Sequence, residues 1–463
     1  MNRPLRNRGA LIVAGLALLG SALGCSSPRE SEEPYNLVLI TLDTTRADFL
    51  RFHGATNGEQ PVLDAMAAES IVFERAIAPN TITVPSHASI LTGLYPRQHG
   101  VLHNVQSLDG RWTTLAEMFS ARGARTAAFL GARGIIRKNL ARGFDLVDDE
   151  VPESEPLSWQ RAARWTNDLA LPWLTENAED PYFLWVHYYD PHSPMPPSER
   201  SAAAYPAYDG RFADGMEVEE LGPNQHDLTE ADLAYLRALY EDEITALDRE
   251  LGRLMDALRA SGTWDRTVLV LTADHGQSLG EDAFVGHGGP FLPEAQIHVP
   301  LLVRLPPSLS DPAWRTRVPW PVSLTDILPT LLELFPDLTP PEYPLAGRSL
   351  LDLLEPHVTD DAAIVFAEAP ANLIEDVVEP QSVFQVRQGD WKLVVSPDGR
   401  ALYDLANDPQ ERNPLDATTE RGVALEQELE AWLHEVGELR AAAIGEVDDD
   451  LLEALEALGY TGG

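Results

Sequence analysis

The sequence predicts an α/β protein with a doubly wound, mostly parallel sheet flanked by helices, followed by a small antiparallel subdomain at the C-terminal end. Near-continuous aliphatic runs, which are typical of strands buried on both faces, alternate with helical patterns through most of the chain. From about Val378 the pattern changes to short alternating segments separated by Gly-Asp and Pro-Asp-Gly turns. The 463-residue chain is 44% hydrophobic, which is sufficient for a large core.

Five aliphatic runs are predicted to be strands of the main sheet. They cover residues 36–43, 126–130, 182–189, 267–272 and 299–303. Helices are predicted over 112–122, over 227–260, where leucines recur at three- and four-residue steps, and over 419–440. The C-terminal strands are predicted over 383–387, 391–395 and 401–405. These elements divide the folded chain into a large α/β domain over 35–377 and, over 378–463, the antiparallel subdomain with a helical tail.

The N-terminal segment indicates export. Three arginines precede an apolar run over 10–23, and small residues stand just before Cys25. This pattern resembles a bacterial lipoprotein signal and predicts that residues 1–24 are removed and that lipidated Cys25 anchors the protein to a membrane. An ordinary signal peptide or membrane anchor with an incidental cysteine is the alternative, and either one exports the protein. Residues 25–34 are polar and acidic and are predicted to form a tether.

Charge and cysteine content exclude several classes of function. The chain has 34 Lys and Arg residues against 73 Asp and Glu residues, a net charge of −39. Nucleic-acid binding requires clustered basic residues, so we expect no nucleic-acid partner. The single cysteine excludes an intrachain disulfide and a cysteine-rich metal cluster.

Acidic residues follow three of the predicted strands. Asp43, Asp190 and Asp274 stand at or just beyond the carboxyl ends of these strands, where the ligand crevice of an open α/β sheet lies. Each of them is alternatively a helix cap, a position that Asp favours. The adjacent pair Asp274 and His275 offers two ligands at a fixed spacing and favours a divalent metal ion.

The segment over 81–100 holds a candidate nucleophile. Pro85 is predicted to be the first residue of a helix that runs through Leu91, so Thr83 lies just before the helix N-terminus. An anion is favoured there, and a metal ion lowers the pKa of a nearby hydroxyl group that attacks a phosphate- or sulfate-like group. The alternative is that Thr83 or Ser86 is an ordinary helix cap.

These motifs together resemble the sulfatases of the alkaline phosphatase superfamily. The likeness is carried, in order and at the expected spacing, by LDTTRADFLRFHG (42–54), VPSHASILTGLYPRQHGV (84–101), HYYDPHSP (187–194), TADHGQSLGED (272–282) with GHGG (286–289), and VRQGDWKLV with ALYDLANDPQERN (386–413). The last motif resembles the C-terminal subdomain of the sulfatases. The resemblance implies a metal-dependent hydrolase whose catalytic domain covers 35–377.

The resemblance also implies a role for each matching residue. The metal ligands would be Asp43, Asp274 and His275, holding one divalent ion (Ca, Mg, Mn or Zn), with a second ion left open. The nucleophile would be Thr83. Arg46 and His192 would line the anion pocket, and His287 would contact the substrate or its leaving group. The substrate would be a sulfate or phosphate ester of a small molecule, a glycan or a lipid.

Departures from the sulfatase pattern leave the chemistry open. Sulfatases oxidise a Cys or Ser to formylglycine, whereas position 83 is Thr; His87 replaces the Arg of the signature, and Thr44 replaces the second Asp of an Asp-Asp pair. A threonine nucleophile is similar to that of the phosphodiesterases and phosphoethanolamine transferases of the same superfamily. A phosphodiesterase or phosphotransferase is therefore an alternative function, and a catalytically silent binder of anionic glycans or lipids is another.

Overall fold

The computed structural model places the first aliphatic run in the interior of a nine-stranded sheet, as strand β1 (Asn36–Leu42). All seven of its residues are buried, as expected of a strand covered on both faces. The structure describes residues 34–437 and 442, with gaps at 135, 137–139, 156–158, 216–226, 282–283, 289–290 and 371–381. The predicted signal and Cys25 therefore lie outside the described residues, as do nearly all of the tether and most of the tail.

The main sheet has the strand order β11-β2-β10-β6-β1-β5-β3-β4, and β9 pairs with β2. Its remaining strands are β2 (Ile71–Ile77), β3 (Arg125–Leu130), β4 (Leu146–Asp148), β5 (Tyr182–Tyr188), β6 (Thr267–Thr272), β9 (His298–Val299), β10 (Leu301–Arg304) and β11 (Arg317–Ser323). Two further strands, β7 (Ser278–Leu279) and β8 (Val285–Gly286), form a separate hairpin. Strands β6, β1, β5, β3 and β4 are parallel, so the predicted fold class is confirmed.

The predicted strand over 299–303 differs from the structure in two ways. Pro300 separates β9 from β10 because a proline has no N–H for the ladder. Strand β10 also runs antiparallel to both of its neighbours, β6 and β2. An aliphatic run indicates burial on both faces, but it does not indicate strand direction.

Helices cover the sheet and begin at recognisable caps. The long predicted helix is α7, capped by Thr229, and the helix predicted over 112–122 is the shorter α4, capped by Thr114 with Glu117. The helices are α1 (Pro61–Ala68), α2 (Thr83–Thr92), α3 (Pro96–His99), α4 (Leu115–Ala121), α5 (Ala163–Glu176), α6 (Glu199–Ala204), α7 (Glu230–Ala260), α8 (Glu294–Ile297), α9 (Ile327–Leu334) and α10 (Glu420–Val436). Among the described residues, no helix combines the length and apolar character needed to cross a membrane.

Helix α2 starts two residues earlier than predicted. Thr83 is its first residue and Pro85 its third, so Thr83 belongs to the helix instead of preceding it. Proline is accepted in the first turn because the first N–H groups of a helix have no intrahelical partner. All ten residues of α2 are buried, and the Ser86 hydroxyl donates to the Asp274 carbonyl oxygen at 2.6 Å, which holds the first turn beside the end of β6.

The C-terminal subdomain is a four-stranded antiparallel sheet with α10 packed against it. Its strands are β12 (Ile364–Pro370), β13 (Ser382–Gln388), β14 (Trp391–Ser396) and β15 (Gly399–Asp404). The last three match the predicted segments, whereas β12 lies before the predicted start at Val378. Lys392 on β14 is fully buried, and its ammonium group contacts Glu294 of α8 at 3.2 Å and Glu411 at 2.7 Å. These contacts join the small sheet to the α/β domain.

Candidate active site

Two parallel strands bring the candidate metal ligands together. Strand β6 is the direct neighbour of β1, and both have their carboxyl ends at the same edge of the sheet. Asp43 follows β1, while Asp274 and His275 follow β6. One ligand atom of each residue lies within 4.8 Å of the others, and all three side chains are fully buried.

The donor set fits a divalent cation. Both carboxylate oxygens of Asp43 and Oδ2 of Asp274 are buried, and none has a hydrogen-bond partner in the part of the chain that the structure describes. Burial raises the pKa of both carboxyl groups well above the usual range, and the charge of Asp43 raises that of Asp274 further. Two buried carboxylates without a counter-charge are costly, and a metal ion removes that cost.

The hydroxyl group of Thr83 faces this cluster. Its Oγ1 lies 3.4 Å from His275 Nε2, which is also 3.4 Å from Asp274 Oδ2. Ligands of a tetrahedral ion at about 2.0–2.1 Å stand about 3.4 Å apart, so Thr83 fits as a ligand or neighbour of the same ion. The first turn is capped by another residue, since the Val84 N–H donates to Asn104 Oδ1 at 2.9 Å.

His275 is held in the orientation that a ligand needs. Its Nδ1 lies 3.0 Å from the carbonyl oxygen of Gly276, which can only accept, so Nδ1 carries the hydrogen and Nε2 has a free lone pair. Burial lowers the pKa of His275 to about 3, so the ring is neutral at ordinary pH. A Cβ atom at Gly276 would lie 2.1 Å from the Ala295 carbonyl oxygen, so this close approach requires glycine.

His192 and His287 form a close pair beside the cluster. Their Nε2 atoms are 3.0 Å apart, and the His287 ring packs against His275 with centroids 4.3 Å apart and the ring planes tilted by 31°. The Nδ1 atoms face carbonyl oxygens, that of Ser193 at 2.8 Å and that of Thr81 at 3.1 Å. Because each Nδ1 must donate, two neutral rings would place lone pairs against each other. Burial lowers the pKa of both rings well below the usual value, and a proton shared between the two Nε2 atoms or a cation beside them would offset this repulsion.

Arg46 lies next to the site, but its charge is engaged by acidic side chains. Its guanidinium group donates to both carboxylate oxygens of Asp48, to Glu281 at 2.9 Å and to the carbonyl of Gln277 at 3.0 Å. The side chain also packs over the Cα of Gly276. A role of Arg46 in the anion pocket stays a prediction, and it requires that substrate replaces one of these partners.

Asp190 does not join the carboxylates of Asp43 and Asp274. Its Oδ2 accepts a hydrogen bond from the backbone N–H of Ala163 at 2.9 Å, at the first residue of helix α5. Asp190 therefore contacts the N-terminus of a helix that precedes it in the chain, not the next helix as the alternative had it, and its expected convergence with the other two is wrong. A position after a strand does not fix the direction of the side chain.

Sequence reasoning did not assign a role to two further histidines of the site. His87 Nδ1 lies 2.8 Å from the carbonyl of Thr83 and 3.6 Å from Asp274 Oδ2. His187 Nε2 lies 3.4 Å from Asp43 Oδ2. Both rings are fully buried and are 4.9 Å apart between centroids. Two features point to these histidines: His87 stands one helical turn after Thr83, and His187 pairs in register with Thr41 of β1.

Comparison with known proteins agrees with this arrangement. A family model described as Sulfatase matches residues 35–338. The chain belongs to the sulfatase family. Membership makes it a hydrolase of the alkaline phosphatase superfamily, and the part of the chain matched by the family model contains each candidate residue of the site.

Individual relatives of the family are distant. The chain is 26% identical to Arylsulfatase K of Mus musculus, over 86% of this chain and 79% of that protein. It is also 26% identical to the Multifunctional alkaline phosphatase superfamily protein PehA of Trinickia caryophylli, over 82% of this chain and 91% of that protein. The Phosphonate Monoester Hydrolase of Agrobacterium radiobacter shares the fold, with a TM-score of 0.69, 23% identity and coverage of 87% of this chain and 96% of that chain.

Proposed function

We propose that this sulfatase-family protein is an exported, metal-dependent hydrolase that cleaves monoanionic esters through covalent attack by Thr83. The observation that carries the proposal is the position of the Thr83 hydroxyl. It lies 3.4 Å from His275 Nε2, at the first residue of a buried helix and beside carboxylate oxygens that lack partners among the described residues. The helix N-terminus adds partial positive charge where an anionic substrate would bind.

The residues of the site divide the reaction between them. A divalent ion held by Asp43, Asp274 and His275 would neutralise the substrate anion and favour ionisation of the Thr83 hydroxyl group. Thr83 Oγ1 loses its proton to solvent and forms a bond to phosphorus or sulfur while the bond to the leaving-group oxygen breaks. The His192 and His287 pair donates a proton to that oxygen. In a second step water attacks the phosphorus or sulfur atom and gives its proton to the pair, while the bond to Thr83 Oγ1 breaks and Oγ1 takes up a proton from solvent.

The charge of the site supports a substrate with a single negative charge. With a divalent ion bound, Asp43 and Asp274 together with Arg46, Asp48 and Glu281 would leave a net charge of −1, which opposes a dianion more than a monoanion. Phosphodiesters, phosphonate monoesters and sulfate esters are monoanions at neutral pH. Phosphate monoesters approach −2, and this site offers less compensation for the second charge. Since Thr83 does not form formylglycine, we favour phosphodiesters and phosphonates over sulfates.

A panel of esters that share one leaving group tests this function. The 4-nitrophenyl sulfate, phenylphosphonate, methylphosphate diester and phosphate monoester are compared by kcat/KM with the metal-loaded protein. We expect the diester or phosphonate to exceed the sulfate, and the phosphate monoester to be the poorest. A best activity on the monoester would contradict the charge argument. A kcat/KM for the sulfate that exceeds those of the other esters would contradict the preference for phosphodiesters and phosphonates.

Metal content distinguishes the proposed enzyme from the alternative, a catalytically silent binder of anionic glycans or lipids, because a binder need not hold a divalent ion. The presence of Asp43, Thr83, Asp274 and His275 in one cluster favours the enzyme. We expect Asp274→Asn and His275→Ala to lose the ion and nearly all turnover while the fold is kept. The number of metal ions bound per wild-type chain tests whether a second ion lies at the pair of His192 and His287. One ion per chain supports a proton shared between the two rings, and two ions support a second cation there.

A further inference from the structure

We propose that His187 is a positioning residue that fixes the carboxylate of Asp43, and that Trp185 and Thr41 set the ring tautomer that this role needs. None of these three residues contacts substrate in the reaction described above. The inference rests on the metal site of the proposed function. It adds a determinant of metal affinity that lies inside the sheet, behind the ligands.

The arrangement follows from the pairing of β1 with β5. Thr41 on β1 is the register partner of His187 on β5, and Trp185 lies two residues before His187 on the same face. Trp185 Nε1 lies 2.9 Å from Thr41 Oγ1, which lies 3.0 Å from His187 Nδ1. His187 Nε2 lies 3.4 Å from Asp43 Oδ2. Each of these side chains is at most 1% exposed.

The hydrogen bonds of Thr41 determine which nitrogen of His187 carries hydrogen. An indole N–H only donates, so the Thr41 oxygen accepts from Trp185. The Thr41 hydroxyl hydrogen is then available to His187 Nδ1, which accepts it. A neutral imidazole with an accepting Nδ1 has its hydrogen on Nε2. That N–H faces Asp43 Oδ2.

The opposite tautomer is unfavourable. If His187 Nδ1 donated to Thr41, the hydroxyl hydrogen of Thr41 would lose this acceptor inside the sheet. The lone pair of Nε2 would also face a carboxylate oxygen of Asp43 at 3.4 Å. Trp185 therefore acts through two hydrogen-bonding groups to turn a donor toward Asp43. The donor of His187 faces Asp43 Oδ2 at 3.4 Å without yet forming a hydrogen bond, and we infer that it fixes this oxygen when the carboxylate takes up the ion.

His87 occupies the corresponding position behind Asp274 but is held differently. Its Nδ1 lies 2.8 Å from the Thr83 carbonyl, which is a permanent acceptor, and 3.6 Å from Asp274 Oδ2. The Nδ1 hydrogen of His87 is thus committed to the backbone of α2. Residue Thr41 has no bearing on that ring, so its substitution isolates the His187 arrangement.

Two pairs of variants test the proposal through metal affinity. Full-length metal-free protein is titrated with Zn²⁺, and in parallel with Mn²⁺ and Ca²⁺, by calorimetry. Thr41→Val removes the hydroxyl group at nearly constant shape, and Thr41→Ser retains it. His187→Phe removes both nitrogens, and His187→Gln retains a donor near the Nε2 position. Thermal unfolding of the metal-free proteins checks that each variant folds.

We expect His187→Phe to weaken metal binding about 10- to 100-fold, the range typical of lost partners of metal ligands. Thr41→Val should weaken it in the same direction, while Thr41→Ser and His187→Gln should stay close to the wild type. Unchanged affinity in both Thr41→Val and His187→Phe would overturn the positioning role alone. If His187→Gln were as weak as His187→Phe, the ring would be a direct ligand. A wild type that binds none of these ions would overturn the metal site and this inference together.

Discussion

Thr44, directly after Asp43, has a left-handed backbone with a φ of 52°. This conformation is unfavourable for a β-branched residue, so neighbouring groups must maintain it. The Tyr240 hydroxyl donates to the Thr44 carbonyl oxygen at 2.6 Å and accepts from the Arg46 N–H at 2.9 Å, and the Thr44 N–H donates to Asp274 Oδ1 at 3.3 Å. The turn that orients Asp43 therefore depends on one buried phenol from helix α7.

This dependence predicts the effect of Tyr240→Phe. The variant leaves the Thr44 carbonyl and the Arg46 N–H without this partner, so we expect it to lower the free energy of unfolding by about 1–3 kcal/mol. It should also weaken metal binding, because the turn before the ligand loosens. Tyr182→Phe is the matched control, since its hydroxyl is buried against Thr263 at the amino ends of β5 and β6, whereas the site lies at the carboxyl ends. Equal metal affinity in the two variants would contradict the coupling.

Thr83 carries the most direct test of the mechanism. Thr83→Ala should abolish turnover while metal and substrate still bind, because the hydroxyl group that attacks is gone. Thr83→Ser keeps the hydroxyl, loses one methyl group and should retain part of the activity. Single-turnover assays with metal content measured in parallel give the comparison. An active Thr83→Ala protein would leave attack by water as the surviving account.

At the scale of elements, His99, the buried histidine at the end of α3, makes the free energy of unfolding depend on pH. The Val101 N–H donates to His99 Nδ1 at 3.1 Å, so Nε2 carries the hydrogen and donates to Ser89 Oγ of α2 at 3.0 Å. Burial lowers the pKa of His99 to about 3. The unfolded chain takes up a proton near pH 6.5, whereas the folded chain does not until about pH 3.

The stability that His99 contributes is therefore present above about pH 6.5 and decreases as the pH falls, by about 1.4 kcal/mol per pH unit. We expect the difference in urea midpoint between wild type and His99→Gln to narrow between pH 7 and pH 5. His357→Gln serves as a control, since this histidine is 81% exposed. A gap that stays constant with pH would show that His99 titrates alike in both states.

The elements that the sequence predicts well are those whose pattern depends on burial alone. The runs that became β1, β3, β5 and β6 are predicted within about one residue, because both faces of each are covered. Strand β10 was predicted without its direction, and α2 was placed two residues late because proline is accepted anywhere in the first turn. Strand β12 was not predicted, although its antiparallel partner β13 is the next strand along the chain and was predicted.

The same distinction holds for the candidate site. Asp43, Asp274 and His275 are found from strand ends together with the family resemblance, and the structure brings them within 4.8 Å. His187 was not assigned, since only the register of β5 against β1 aims it at Asp43. Arg46 was expected in the anion pocket, but its partner Glu281 is distant in sequence.

At the scale of the whole molecule, the net charge of −39 and the N-terminal segment both bear on how the protein would contact a membrane. An acidic surface keeps an exported protein soluble and repels anionic lipid headgroups. Stable contact with a membrane would then need a covalent lipid. The residues between Cys25 and Tyr35 are polar and acidic and, if extended, span about 30 Å.

We therefore expect residues 1–24 to be removed and Cys25 to be lipidated. Mass spectrometry of the protein from the membrane fraction should find an N-terminal peptide that begins at modified Cys25. Cys25→Ser should give a protein that carries no acyl group and keeps residues 1–24, with an unchanged kcat/KM, because the active site lies in the domain that begins at Tyr35. Both acyl attachment and processing depend on this cysteine. Recovery of wild-type protein in soluble form with an unmodified Cys25 would support the ordinary signal peptide instead.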